Sequence, residues 1–263
     1  GEINLKGTPK KAGDFEFTIR CKLKGWEEGD KIIERRFSVA FNPDPRDLWR
    51  DLPVPENTLF MKPNEECEYV LVPEFEGHCQ KDIVVASKRG RSHAQEGRPR
   101  DDHFKVSHNG ENGWYTLIVA DGAGSAKYSR KGSEIACNIA EDYCKTQLAE
   151  KAEAFEKCVA DYANESSKEN LLGVASFLRE IVVRAAFEAH KTIKTLVAQC
   201  ENAVVKDFAT TLLIAVCKRF DFGWFVASFS VGDGAIAIYD KDAEKVRLLN
   251  VPDGGEYAGQ TRF

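Results

Sequence analysis

Thr116-Leu-Ile-Val-Ala-Asp121-Gly122-Ala-Gly-Ser125 is an apolar run that stops abruptly at an acidic residue followed by small ones. Such a run, bounded by glycine, predicts a strand, so Asp121 is delivered to the end of a sheet. Asp-Gly alone most often marks a turn. Here Ala123, Gly124 and Ser125 also leave the backbone open to a ligand. Upstream, Asp101-Asp102 precedes a second strand-like segment, Phe104-Lys-Val106. In isolation that pair reads as a solvated loop. Adjacent carboxylates repel unless something positive lies between them, and hard divalent cations take oxygen ligands. Together the two acidic sites point to a metal-dependent hydrolase.

Working outward, Ile83-Val-Val-Ala86 reads as a strand, and 104–106 with 114–119 as a hairpin closed by Asn109-Gly110 and Asn112-Gly113. Ser129 to about Glu150 is helical. Ser166-x-x-Glu169 has the form of a capping box. It introduces a long amphipathic helix with Leu171, Val174, Leu178, Ile181, Ala185, Ala189, Ile193 and Leu196 on its apolar face. Between these helices, the charged stretch 150–168 reads as a solvated helical excursion. Strands follow at 209–216, 224–231, 235–239 and 246–250. Strands, then helices, then strands in hairpin succession predict an α+β fold with antiparallel sheets and helices packed outside.

The N-terminal part differs. Residues 1–42 alternate in a β manner, with strands at Glu2–Lys6, Asp14–Leu23 and Arg36–Phe41; Phe15, Phe17, Ile19, Cys21 and Leu23 are expected to face a core. The pattern from Ile3 to Phe17 resembles the later half of Ig-like repeats in bacterial multidomain proteins, which implies earlier strands upstream. Residues 43–80, rich in proline, read as a connector, and 81–263 as the catalytic domain.

Bulk properties narrow the class. The 263 residues carry a formal net charge of -5, which argues against a dominant nucleic-acid surface. No run of 18 apolar residues occurs, so no membrane partner is expected. Eight cysteines without CxxC pairs read as free thiols in a reducing cytoplasm. Residue 1 is Gly and the only methionine is Met61, so the natural start is expected to lie upstream.

Four motifs carry a closer resemblance. They are Ser87-x-Arg89-Gly90-x-Ser92-His93, Gly97-x-Pro99-x-Asp101-Asp102-x-Phe104, Val119-Ala-Asp121-Gly122-Ala-Gly124-Ser125-Ala126, and Ser129-Arg130-x-Gly132-x-x-Ile135-Ala136. With Ala209-Thr210-Thr211-Leu212 and Ser230-Val231-Gly232-Asp233-Gly234, and a final loop at 255–263, residues 83–263 resemble the protein phosphatase 2C superfamily, particularly its bacterial second subgroup. The resemblance implies two antiparallel sheets sandwiched between helical layers, with two Mg2+ or Mn2+ ions in a cleft at one end. Asp121 would bridge both ions, the Gly122 carbonyl would bind one, and Asp101 or Asp102 would hold metal-bound waters. Asp121 and Asp102 are thus the catalytic candidates. The reaction implied is hydrolysis of a phosphoserine or phosphothreonine by hydroxide held on the metal, with a phosphorylated protein as substrate and a cognate Ser/Thr kinase as partner. A phosphoprotein-binding pseudophosphatase is the alternative.

The chain also departs from the family. Gly97 stands where many members carry a phosphate-gripping Arg, leaving Arg98, His93, Arg100 or Arg89 for that role, with Arg98 and His93 ranked first. Ala123 replaces a His that follows the Asp-Gly in eukaryotic members. Two later aspartates of the family site, in an Asp-Gly and an Asp-Asn, are not matched within 1–263, so the sequence is expected to be a piece of a longer enzyme; Asp253-Gly254 reads as a turn. Asp233 likewise reads as a hairpin-turn residue. His78, His103, His108 and His190 show no ligand spacing and are expected at the surface.

Overall fold

The computed structural model describes residues 6–22, 25, 27 and 32–253. At the N-terminus β1 (Gly13–Cys21) and β2 (Ile33–Phe41) form an antiparallel ribbon with Phe17 opposite Phe37. The rings of that pair stack at 5.4 Å. The expected strand at 2–6 and residue Leu23 lie outside the described residues, apart from Lys6, which is in coil. Phe15 and Phe17 do not enter a core: both remain exposed, as do Phe37 and Val39. A two-stranded ribbon can cover its apolar residues only with cross-strand partners, which leaves one side of each ring open.

Within the proline-rich segment lies β3 (Glu65–Val70), which pairs antiparallel with β4 (Ile83–Lys88). Its sequence, Glu-Glu-Cys-Glu-Tyr-Val, hides the strand behind three acids, one of which pairs across to Lys88. After the short helix α1 (Arg91–Glu96), β5 (His103–His108) and β6 (Tyr115–Ala120) form the expected hairpin.

Three helical stretches follow: α2 (Ser129–Glu150), α3 (Ala152–Asn164) and α4 (Lys168–Leu178). A π-helical turn at Arg179–Val183 joins α4 to α5 (Arg184–Val197). Across the turn and α5, Ile181, Ala185, Ala189 and Ile193 recur every four positions and are all buried. Ser167, one residue later than expected, caps α4 by accepting from the Asn170 amide, while Ser166 donates its hydroxyl to the Tyr162 carbonyl. Nor is α3 a solvated excursion: Phe155 and Val159 are fully buried, and Phe155 stacks on Trp114 and Phe177.

The chain then returns to the sheet as β7 (Leu212–Phe220) and β8 (Gly223–Val231), giving the antiparallel order β5-β6-β7-β8. A small hairpin, β9 (Ala237–Asp240) with β10 (Lys245–Leu248), completes the described strands. The register sets Ile118 opposite Ile214 and Thr116 opposite Val216. This face packs on α2 and on the π-turn through Ala136, Ala140, Cys144 and Ile181, all at most 3% exposed. Burial of Ile118, Ile181 and Ile214, each fully buried, contributes on the order of 1.5–3 kcal/mol apiece. On the other face Tyr115 ties the β3–β4 hairpin down: its hydroxyl accepts from the Lys81 amide and donates to the Lys81 carbonyl. The result is α+β with several antiparallel sheets and helices. Among the described residues no helix is long and apolar enough to cross a membrane.

Candidate functional site

Where β6 ends, Asp121 is clamped by Thr210 and Thr211, which lead into β7. Its amide donates to Thr211 Oγ1 at 2.8 Å, and its carbonyl accepts from the Thr211 amide and from Thr210 Oγ1, both at 2.9 Å. Gly122 bridges to Thr210, and the flanking bonds use the Asp121 carbonyl and the Ala123 amide, so the Gly122 carbonyl stays out of the ladder. No side chain fits at 122, because a Cβ would stand 2.6 Å from the Asp101 carbonyl oxygen. The loop is therefore pressed against the acidic pair by its own lack of bulk.

Asp121 opens into a cavity of about 530 Å³, shared with Asp102, Asp233, Ser87, His103 and Thr211. Although Asp121 keeps an exposed edge, desolvation raises its carboxyl from 3.8 to about 7. The Asp102 carboxyl in hydrogen-bonding contact with it, and the charges of Asp233 and Asp101, add to the rise. Crowded carboxylates of this kind are relieved by a proton or a cation.

The two acidic neighbours part company. Asp101 is 2% exposed and accepts from Arg130 Nη1 at 3.2 Å, with Arg98 Nη2 at 3.5 Å and His93 Nδ1 at 3.9 Å. Asp102 instead faces Asp121. Arg98 also donates to the Gly124 carbonyl at 2.6 Å, so its half-buried guanidinium lies along the Asp121–Gly124 loop. His93 Nδ1 sits 2.9 Å from the Pro99 carbonyl, an acceptor only, so that nitrogen carries the proton and Nε2 is left toward Gly124. Arg100 goes elsewhere. It is 1% exposed and spends its guanidinium on Glu66 and the Ser87 carbonyl, as a fully buried cation requires a carboxylate. Arg89 is likewise held by Asp51 and the Leu52 carbonyl.

Gly97 ends α1 in the left-handed conformation, φ 69°, with its amide closing the last turn. An arginine there would be strained.

Other residues at the site were not singled out as candidates from sequence. Asp233, read as a turn residue, stands on the cavity wall, its turn held by Asn250 donating to the Gly234 carbonyl. His103, expected at the surface, is half-buried on the same wall; burial first, then Lys62, lowers it to about 4, so it is a neutral imidazole. Lys62, from the proline-rich segment, is pulled down to about 8 by burial behind the acidic pair. No spacing rule links Lys62 to Asp121; the motifs around Thr210-Thr211 and Asp233-Gly234 were the signals the sequence offered. Among the described residues, no three His, Cys, Asp or Glu side chains gather closely enough to form a metal cluster by themselves. The acidic donors facing the cavity are oxygens, the chemistry that suits Mg2+ or Mn2+, with the neutral imidazole of His103 beside them.

Residues 89–263 match the family model described as Protein phosphatase 2C, from Arg89 through the acidic pair, the Asp121 loop and the Asp233 turn. No curated protein matches the chain.

Proposed function

Because the chain belongs to the protein phosphatase 2C family, whose members are in general metal-dependent protein phosphatases, we propose that it hydrolyses phosphoserine and phosphothreonine in proteins. In this reading Asp121, the Gly122 carbonyl, Asp102 and Asp233 hold Mg2+ or Mn2+. The observation that carries it is the cavity that brings the Asp121, Asp102 and Asp233 carboxyls together; desolvation there, with the Asp102 carboxyl adding to it, raises Asp121 to about 7. The cations, when bound, supply charge neutralisation at the phosphoryl group and an activated water.

The chain's own residues do the rest. Thr210 and Thr211 fix the Asp121 peptide so that the carboxyl points into the cavity. Arg98, steadied by Asp101 and the Gly124 carbonyl, presents guanidinium hydrogens to the substrate phosphate. His93, with Nδ1–H committed to the Pro99 carbonyl, leaves the Nε2 lone pair toward Gly124, where it can accept from a water or a protonated phosphate oxygen. Arg100 has no part in phosphate binding, since Glu66 holds it. A cognate kinase, a cytoplasmic setting, membership of the bacterial second subgroup and an Ig-like origin for β1 and β2 belong to the same proposal.

The test is hydrolysis of a phosphopeptide with and without Mn2+. Activity that requires Mn2+ and is lost in Asp121→Asn supports the reading; metal-independent or unchanged activity overturns it. A second reading is a phosphoprotein-binding module without hydrolysis, in which Arg98 beside the Asp121–Gly124 loop holds the phosphate. Phosphopeptide binding that survives chelation, with no turnover, would favour it.

A further inference from the structure

The acidic pair is held from behind by a residue that precedes the family match. Lys62 is 8% exposed, and its Nζ donates to the Asp102 carbonyl and to Ser133 Oγ, both at 3.0 Å. Ser133, fully buried on α2, passes the contact on by donating its hydroxyl to the Asp101 carbonyl at 2.5 Å. Two consecutive carbonyls are thus fixed from one side. With both carbonyls held, the two side chains go different ways: Asp101 toward Arg98 and Arg130, Asp102 into the cavity with Asp121.

We propose that Lys62 is the positioning residue that aims Asp102 at the metal cavity, and that the segment 51–66 is therefore a working part of the site. The proposal rests on the phosphatase reading above. Three further ties show the same segment gripping the arginines around the site. Asp51 holds Arg89, Glu66 holds Arg100, and the Leu59 carbonyl accepts from Arg130 Nε at 2.8 Å while Arg130 Nη1 reaches Asp101. A methionine would fill the Lys62 volume without desolvating an ammonium, at the cost of the two hydrogen bonds it leaves unmade. The ammonium's two bonds both end on the network that directs the carboxylates. Outer partners of this kind tune a metal site through its ligands.

Calorimetric titration of Mn2+ into the metal-free full chain tests this, alongside the unfolding temperature and hydrolysis of a phosphopeptide over a range of Mn2+ concentrations. Lys62→Met is expected to stay folded and to bind Mn2+ about 10- to 100-fold more weakly, with turnover largely restored at high Mn2+. Lys62→Arg should recover part of the affinity. Ser133→Ala should shift it in the same direction, and the double variant should be no worse than Lys62→Met, as residues in one chain of contacts are non-additive. A merely structural lysine would lower the folded fraction without moving the Mn2+ affinity of the folded protein. Folded Lys62→Met with wild-type affinity overturns the proposal; should that variant not fold, wild-type affinity in Ser133→Ala does so. Undiminished Mn2+ binding in Asp121→Asn would instead sink the phosphatase reading, and the role of Lys62 with it.

Discussion

Thr211 meets Asp121 twice: its Oγ1 accepts the Asp121 amide at 2.8 Å, and its own amide donates to the Asp121 carbonyl at 2.9 Å. One residue just before β7 thereby fixes both ends of the residue that carries the candidate carboxylate. Thr211 is 2% exposed, so Thr211→Val keeps the shape but strands a buried amide. The expected cost is about 1–3 kcal/mol, read as a lower midpoint in urea, with a fall in kcat larger than any change in KM. A midpoint equal to the wild type would show that the hydroxyl contributes nothing.

Gly122→Ala addresses the same loop from the other side. The added methyl would stand 2.6 Å from the Asp101 carbonyl oxygen and 3.0 Å from the Ser129 carbonyl carbon. Both neighbours are backbone and cannot swing away, so the loop itself must move. Overpacking of this kind costs about 1–3 kcal/mol. Thermal unfolding should show that loss, and Mn2+-dependent hydrolysis should fall further than stability does. Gly124, with no backbone so near, is the control: Gly124→Ala should leave the unfolding temperature almost unchanged.

How much of this was legible depended on how local each signal is. The Thr116–Ala120 run and the Asn-Gly turns are written in neighbouring residues, and β5, β6 and α2 formed where they were expected. The different roles of Asp101 and Asp102 were not legible, because Arg130, Lys62 and Ser133 decide which way each carboxyl points, and they lie 29 to 40 residues away. β3 was hidden because its ladder uses backbone groups while its side chains are acidic. The depth of His103 depends on β4 lying across the cavity, which no spacing within β5 reveals.

Glu156 illustrates the same lesson and gives a third test. On sequence it is one charge among many in a helix taken for solvated; in the fold Oε1 accepts from Trp114 Nε1 and Oε2 pairs with Lys218, each at 2.8 Å. Lys218 is 4% exposed and lies over the Phe75 and Phe220 rings. Glu156→Ala leaves that ammonium buried without its carboxylate, a change that costs about 3–5 kcal/mol. The double variant Glu156→Ala, Lys218→Met should regain much of the loss in chemical denaturation. If the single variant unfolds at the wild-type midpoint, the buried pair does not stabilise the fold.

The raised carboxyl of Asp121 sets a pH dependence with a definite sign. Unfolded, it titrates near 3.8; folded and metal-free, it titrates near 7. Between those values the folded protein holds a proton that the unfolded chain has released, so this group makes stability fall as pH rises, and the effect levels off above about 7. Asp121→Asn removes the contribution. In a chelator the variant should match the wild type near pH 4 and unfold at a higher temperature than it near pH 8. With Mn2+ present the order reverses for the wild type, because the cation takes the place of the proton. Binding below pH 7 must release that proton, so Mn2+ affinity should tighten as pH rises toward 7 and then level off. Scanning fluorimetry from pH 4 to 8, with chelator and with Mn2+, reads both effects. Parallel curves for wild type and Asp121→Asn in chelator would show that Asp121 titrates as an ordinary surface carboxylate.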